Sequence, residues 1–365
     1  MLQRIRFFRL PLAALLLTAC RADAVVWARS DESTEKPKQA EIESLVLQLG
    51  DEHYIRRDQA RARLVELGSI AFDALYVGTL NDDTEIKLQS AAILRGIEIE
   101  LLHQEDSAEV RRELLRFDSI SGAAKLDVID RLAAFSDDVG RAALCRIARY
   151  DRSEFFSKMA ALAVFETERP MTPERALRLI QTIEKELGPS KRTASEWLRC
   201  YSKFLADPFS TVTLWDDIVQ AEAELYLDTM NSTHRALLKD LLHWHYLVMA
   251  QLGEDDHSQA AIVRIVPQMI QQPVDVIHQL DWLRDHEAWA AIDKVAEEHK
   301  QVIDANTLMK YQLAGALRQQ GQNEESEKLA NDAFAMSSES GVREIVSRAL
   351  LQRAEFDWFE NELQS

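Results

Sequence analysis

The sequence is poor in the residues that make tight turns. Its 365 residues include only 11 glycines and 8 prolines, whereas a β-rich fold of this length needs many turn residues between short strands. Alanine, leucine, glutamate, glutamine and arginine are abundant instead. We therefore predict an all-α protein, and its length would ordinarily divide into two or three domains.

Cysteine is equally scarce, with three in the chain. Cys20 belongs to an unusual N-terminal segment, which leaves Cys145 and Cys200 for the remainder. Two thiols cannot form a cysteine-based metal site, and the sequence leaves open whether they pair in a disulfide. Each lies among apolar residues at helical spacing, so buried free thiols are the favoured interpretation.

Positive charge is the third shortage. The chain has 43 Lys and Arg against 61 Asp and Glu, a formal net charge of −18 at pH 7, and no Lys/Arg-rich block offsets this balance locally. Such a charge disfavours binding to nucleic acid or to an anionic membrane surface. We therefore expect neither as a partner.

Residues 1–24 differ from everything that follows. Arg4, Arg6 and Arg9 precede the apolar run 10–17 and then a region of small residues, which is the layout of a secretory signal peptide. The run is much shorter than the roughly 20 residues that a transmembrane helix needs. We predict export to the periplasm or cell envelope.

Two processing sites compete within this segment. Residues 22–24 (Ala-Asp-Ala) fit the pattern for cleavage before Val25, which is favoured. Residues 17–20 (Leu-Thr-Ala-Cys) resemble the lipobox of bacterial lipoproteins, and this resemblance implies lipidation of Cys20 as the only membrane attachment. Either cut changes the net charge from −18 to −21, because the segment removed carries +3.

Beyond a polar leader predicted at 25–39, apolar residues recur at helical spacing. Ile42, Leu45, Val46 and Leu49 follow the i, i+3, i+4, i+7 pattern of one helix face. Further helices are predicted at 54–67, 70–80, from 84 onward, 123–135 and 138–150.

Two of these segments repeat at an offset of 31 residues. Residues 55–60 (Ile-Arg-Arg-Asp-Gln-Ala) correspond to 86–91 (Ile-Lys-Leu-Gln-Ser-Ala). The pattern resembles short HEAT-like repeats, and the resemblance covers residues 40–170. It implies antiparallel helix pairs stacked into an α-solenoid with a right-handed superhelix.

The C-terminal part changes repeat type. Small residues stand where two helices would cross, namely Ala314, Ala316, Ala330 and Ala333, with Gly321 in the turn between them. This spacing resembles a tetratricopeptide (TPR) repeat over 275–365. The intervening residues 171–274 are predicted as a helical linker region that is TPR-like at best.

In many TPR domains, basic side chains on the first helix of each repeat line a peptide groove. Lys310 and Arg318 are the local equivalents, although Gly315 occupies a position where an Asn of the peptide-carboxylate clamp is expected. Trp358 and Phe359 lie on a final amphipathic helix whose apolar face either docks onto a partner or reflects a shortened parent protein. These four residues are the predicted partner surface.

The search for catalytic chemistry finds little. His243 and His245, with His234 upstream, are the best metal candidates, but an i, i+2 pair on a helix points about 200° apart and does not converge on one ion. Acidic pairs fall at helix junctions, where capping explains them. The sequence has no phosphate-binding loop, serine-nucleophile elbow or zinc-protease motif.

Five tryptophans, spread singly over predicted helices, are expected in the core and not on a carbohydrate platform; they are Trp197, Trp215, Trp244, Trp282 and Trp289. No catalytic, cofactor-binding or metal residue is predicted. The sequence favours a non-catalytic scaffold or adaptor of the cell envelope that binds another protein or peptide. The alternative is an all-α envelope enzyme with its site in a helical groove, such as one acting on cell-wall polysaccharide.

Overall fold

The computed structural model describes residues 32–165, 171–337 and 340–364. This part of the chain consists of α-helices and short 3-10 turns without a β-strand, which confirms the all-α prediction. Within it, none of the helices combines the length and the apolar character needed to cross a bilayer. The predicted signal peptide, both processing sites and Cys20 lie outside the described residues.

The helices are numbered in chain order. They are α1 (Glu32–Gln48), α2 (Tyr54–Leu67), α3 (Phe72–Gly78), α4 (Thr84–Gly96), α5 (Ala108–Leu114), α6 (Ala123–Ala133), α7 (Arg141–Tyr150), α8 (Glu154–Val164), α9 (Pro173–Leu187), α10 (Thr193–Ala206), α11 (Val212–Thr229), α12 (Ser232–Leu252), α13 (Asp255–Ile265), α14 (Pro273–Asp285), α15 (Trp289–Glu298), α16 (Lys300–Asp304), α17 (Thr307–Gln319), α18 (Asn323–Met336), α19 (Ser340–Gln352) and α20 (Phe356–Gln364).

Local capping explains several of these bounds. Helix α2 spans the predicted 54–67, and α4 begins at the predicted Thr84. There the Asp83 carboxylate accepts hydrogen bonds from the first backbone amides of the helix, which otherwise have no partner. Helix α1 begins at Glu32, inside the predicted leader 25–39.

Helices pack mainly on their neighbours in the chain and on the next helix but one. Adjacent pairs such as α7–α8 and α17–α18 are in contact, and so are α7 with α9, α8 with α10, α11 with α13 and α13 with α15. Stacked helix pairs produce this pattern, because each unit contacts the units before and after it. The solenoid arrangement and its handedness stay predictions.

The repeat at offset 31 has a visible packing consequence. Ile86 on α4 is buried against Gly50 in the turn between α1 and α2. The contact is so close that a Cβ atom added at Gly50 would lie only 2.8 Å from the Ile86 side chain. Ile55, the equivalent residue on α2, is 68% exposed. The two equivalent residues therefore differ in burial. The α1–α2 turn covers Ile86, whereas no such turn covers Ile55 in the described part of the chain.

The apolar core forms three clusters, spanning residues 42–97, 101–316 and 311–358. The central cluster is continuous across residues 170 and 274, where the sequence suggested changes of repeat type. It contains Trp197, Trp215 and Trp244, all buried as predicted, and the last two rings lie 4.4 Å apart. Cys145 and Cys200 are buried free thiols, as favoured from the sequence.

Buried ion pairs tie together helices that are far apart in sequence. Arg146 on α7 binds both carboxylate oxygens of Asp106 at 2.6 and 2.7 Å. Lys158 on α8 pairs with Glu222 on α11, and both side chains are almost fully buried. Such charges are tolerated only when each has its partner, so these pairs fix how the helices are placed relative to one another.

Candidate functional site between helices α12 and α14

Helix α12 is the longest described helix and has two chemically different faces. Its start is capped by the Asn231 side chain, and it ends at Gly253, whose φ of 77° favours glycine. Leu238, Leu242 and Val248 belong to the buried core on one face. Beside this face runs a row of polar and aromatic residues at spacings of four, four and three, namely Arg235, Lys239, His243 and Tyr246.

A second row faces it from α14 and from the residue that follows this helix. The Arg235 guanidinium pairs with the Asp275 carboxylate, and the Lys239 ammonium lies 5.8 Å from the centre of the Trp282 ring. Further along, the ring of Tyr246 lies 4.8 Å from that of His286.

The contacts run from the start of each helix to its end, so α12 and α14 are parallel. Each row spans 12 residues, and the row on α12 extends over about 16 Å of helix. We call this surface the α12–α14 seam; it comprises Arg235, Lys239, His243, Tyr246, Asp275, Trp282 and His286.

Two histidines at the end of the seam form a hydrogen-bonded chain with a defined direction. His286 Nδ1 lies 2.6 Å from the Trp282 carbonyl oxygen, which can only accept, so Nδ1 carries the proton. In the neutral ring Nε2 is then an acceptor, and it receives the proton of His243 Nδ1 at 2.7 Å. The lone pair of His243 is therefore left on Nε2.

Around these two hydrogen-bonded histidines, the pKa values of four groups are shifted. Burial lowers the pKa of His286 to about 4, and its ring is also stacked on Trp282 with 3.9 Å between centres. Burial likewise lowers the pKa of His243 and that of Lys239, and it raises the pKa of Asp240.

Asp240 and His243 are nevertheless exposed. Both groups are therefore accessible to water although neighbouring side chains partly desolvate them. Clustered pKa shifts of this kind occur preferentially at functional sites, although structural networks also cause them.

His245, two residues further along α12, has the opposite environment. It is 1% exposed, and its Nε2 donates to Asp216 Oδ1 on α11 at 3.1 Å. His257 Nδ1 donates to the other oxygen of the same carboxylate at 2.6 Å. Burial raises the pKa of Asp216, but the hydrogen bonds from the two histidines outweigh it and hold that pKa below its usual value.

The structure separates the three histidines that the sequence singled out as metal candidates. His243 contacts His286, His245 contacts Asp216, and His234 Nδ1 lies 2.9 Å from the Thr229 hydroxyl. The predicted divergence of the i, i+2 pair is thus seen directly. Among the described residues, no group of three or more histidine, cysteine or carboxylate side chains is arranged to hold a metal ion.

Two of the four residues predicted as a partner surface at the C-terminus are engaged in contacts within the chain. Trp358 is 3% exposed, because the Arg318 guanidinium stacks 3.7 Å from its ring centre and Tyr311 packs beside it. Arg318 also pairs with Glu355 and Glu327. Two of the four predicted residues therefore hold α17 and α20 together, while Lys310 and Phe359 remain half-buried.

The sequence contained a signal for the seam that went unrecognised. Polar and aromatic residues at 235, 239, 243 and 246 repeat with the same helical period as a core face. Trp282 was assigned to the core and His286 was not considered. What could not be seen from the sequence is that α14 runs parallel to α12 with Asp275, Trp282 and His286 in matching positions.

Comparison of the chain with family models, curated proteins and solved structures finds no significant match.

Proposed function

We propose that the protein is a non-catalytic adaptor of the cell envelope that binds an extended segment of another protein along the α12–α14 seam. The observation that carries this proposal is the row of aromatic, imidazole and cationic side chains on two parallel helices. Two groups in this row have unused hydrogen-bonding capacity: His243 Nε2 as an acceptor and the Lys239 ammonium as a donor.

The spacing of this strip suits an extended peptide. Side chains three or four residues apart on a helix are separated by about 4.5–6 Å along its axis. Every second residue of an extended strand presents its backbone groups at intervals of about 6.6 Å. A peptide lying along α12 would therefore meet Lys239, His243 and Tyr246 in turn with alternate residues, while Trp282 offers apolar area to a side chain between them.

The rest of the proposal rests on the sequence. The signal-peptide pattern in residues 1–24 supports export, with Cys20 as the alternative lipidation site. The HEAT-like and TPR-like patterns support an α-solenoid, a build that commonly presents a long concave surface to proteins or peptides. The stacking of alternate helices, such as α11 on α13, agrees with such an array.

Site-directed photocrosslinking in living cells tests this function. A photoreactive phenylalanine analogue replaces His243 in one strain and Ala221, an exposed residue on α11, in a matched control strain. We expect a discrete crosslinked protein from position 243 alone, and its yield should fall when Lys239→Ala and Trp282→Ala are added. Equal crosslinking from both positions, or none from position 243 in any growth condition, contradicts the proposal.

A catalytic function is the second candidate, favoured by one observation. His243 presents an unprotonated Nε2 of fixed orientation next to Asp240, whose carboxyl has a pKa raised by burial. A base and an acid with displaced pKa values are what hydrolysis of a cell-wall polysaccharide requires. Purified protein that releases soluble fragments from cell-wall sacculi, with the release lost in both His243→Gln and Asp240→Asn, supports this alternative.

A further inference from the structure

One charged side chain of the α12–α14 seam has no partner. The Lys239 ammonium forms neither a hydrogen bond nor an ion pair in the described part of the chain, although the side chain is half-buried. Arg235 and Asp275 pair with each other, so their charges cancel. The seam therefore keeps an excess positive charge at Lys239, within a chain whose formal net charge is −18.

The carboxylates at neighbouring positions do not pair with Lys239. Both oxygens of Asp275 are engaged, since Oδ1 accepts from the Arg235 guanidinium and Oδ2 accepts from two backbone amides at 3.0 Å each. Asp240, the next residue of α12, points about 100° away around the helix, and burial raises the pKa of its carboxyl. Burial also lowers the pKa of Lys239, so its ammonium is partly desolvated without a carboxylate beside it.

The surroundings of this ammonium favour a carboxylate as the group that it binds. It lies 5.8 Å from the centre of the Trp282 ring, and the indole excludes water from that side, which strengthens electrostatic interactions. A hydrogen bond with an ionised acceptor is roughly twice as strong as one between neutral groups. Lys239 also has Arg235 one turn before it and His243 one turn after it. An Asp or Glu within an extended segment therefore fits better than a chain terminus.

His243 adds a second requirement at a defined distance. One helical turn of four residues, about 6 Å along the axis, separates Lys239 from His243. Residues i and i+2 of an extended strand are about 6.6 Å apart and point to the same side. Because His243 Nε2 is an acceptor, the residue two positions from the acid should be a neutral donor such as Ser, Thr, Asn or Gln.

We propose that the segment bound at the α12–α14 seam contains an Asp or Glu whose carboxylate pairs with the Lys239 ammonium. A residue two positions away donates a hydrogen bond from its side chain to His243 Nε2. This partner chemistry rests on the proposed adaptor function, because it concerns the same surface.

A library of random short peptides, displayed on phage and selected on the purified full chain, reveals the pattern without knowledge of the partner. Each selected peptide is then tested against Trp282→Ala, and the peptides that lose binding form the seam-dependent set. Tyr246→Ala is a second seam variant, so this set does not depend on the folding of Trp282→Ala. We expect its members to share an Asp or Glu, with Ser, Thr, Asn or Gln two positions away.

Calorimetry with one selected peptide then locates the carboxylate. Replacement of the peptide's acid by its amide should weaken binding to the wild-type chain at least about tenfold, since a hydrogen bond to a charged group typically contributes this much or more. Lys239→Met keeps the length of the side chain without its charge, so the same replacement should change its affinity by less than about twofold. Lys203→Met, which removes an exposed lysine of α10, is the matched control and should behave like the wild type.

The outcomes separate this partner chemistry from the adaptor function. Seam-dependent peptides without an acidic residue would overturn the partner chemistry and leave the adaptor function standing. An equal loss of affinity in wild type and Lys239→Met would also overturn it, because the carboxylate would then bind elsewhere. Selection of no peptide that depends on the seam would contradict the adaptor function itself, and the acidic partner with it.

Discussion

His243 and His245 are two residues apart on one helix, yet the structure uses them in opposite ways. His243 is exposed, donates through Nδ1 to His286 and keeps Nε2 free. His245 is buried and donates through Nε2 to Asp216. The hydrogen-bond acceptor that each ring meets decides which nitrogen carries the proton, so neighbouring residues of one type can present opposite tautomers.

The two histidines also mark two faces of α12 that have different contacts. The face with His245 holds α12 against α11 and, through His257, against α13. The face with His243 meets α14 through long side chains and leaves polar groups accessible. The core face fixes the position of the helix, and the seam face carries the accessible groups on which the proposed partner binding depends.

Replacing each histidine by alanine should give the largest contrast. His245→Ala removes a buried ring and a hydrogen bond to a carboxylate, so we expect the free energy of unfolding to fall by about 3 kcal/mol. His243→Ala removes an exposed ring and should cost about 1 kcal/mol or less. Urea denaturation of both variants measures the difference, and equal losses would show that the two faces are not distinct.

Lowering the pH should weaken the seam before it affects the other face. The pKa of His286 is lowered to about 4 from 6.5, so below pH 6.5 the unfolded chain binds a proton that the folded chain does not. Stability therefore falls as the pH drops, by about 1.5 kcal/mol between pH 6.5 and 5 from this group. The lowered pKa of His243 acts in the same direction.

Asp216 should affect the stability of the protein only at lower pH. Its pKa is lowered from 3.8, so the stabilisation that it provides is complete above that value and is lost only at lower pH. Unfolding measured at pH 7, 6 and 5 should thus show a decline that is reduced in His286→Gln and retained in His278→Gln, which alters an exposed histidine of α14. An unchanged decline in His286→Gln would assign the effect to other groups.

Chemical modification should distinguish the two rings without a mutation. Diethyl pyrocarbonate acylates unprotonated imidazole nitrogens that solvent can reach. His243 should react early through Nε2, and His245 should react only when the protein unfolds. Peptide mapping by mass spectrometry over time, with exposed His278 as the reference, follows both, and early modification of His245 would argue against its burial.

The most subtle test detects the tautomers themselves. Long-range ¹H–¹⁵N spectra of the histidine rings at pH 7 should show a protonated Nδ1 and an unprotonated Nε2 for His243 and His286. His245 should show a protonated Nε2. The opposite assignment for His243 would remove the free lone pair on which the seam chemistry depends.

Much of the fold could be predicted because it depends on local signals. The low glycine and proline content, the apolar period from Ile42 onward and the cap at Asp83 all act within a few residues. The divergence of His243 and His245 was also predictable, because it follows from helix geometry alone.

The candidate site could be predicted only in part. Trp358 and Arg318 were expected on a partner surface, but Arg318 on α17 reaches across to stack on Trp358 of α20. Trp282 packs against the central core cluster, as expected, but its ring also meets His286 and Lys239 at the seam. In each case the contact involves a residue of another helix, which the sequence pattern of a single helix cannot predict.

The sequence by itself determined that the described chain is helical and where several helices begin, because capping and side-chain periodicity act over one or two turns. It also determined that His243 and His245 point apart. Only the tertiary structure decided that α14 lies parallel to α12 and that His286 Nε2 meets His243 Nδ1. These features depend on contacts between residues 40 and 43 positions apart, and helix periodicity carries no information at that range.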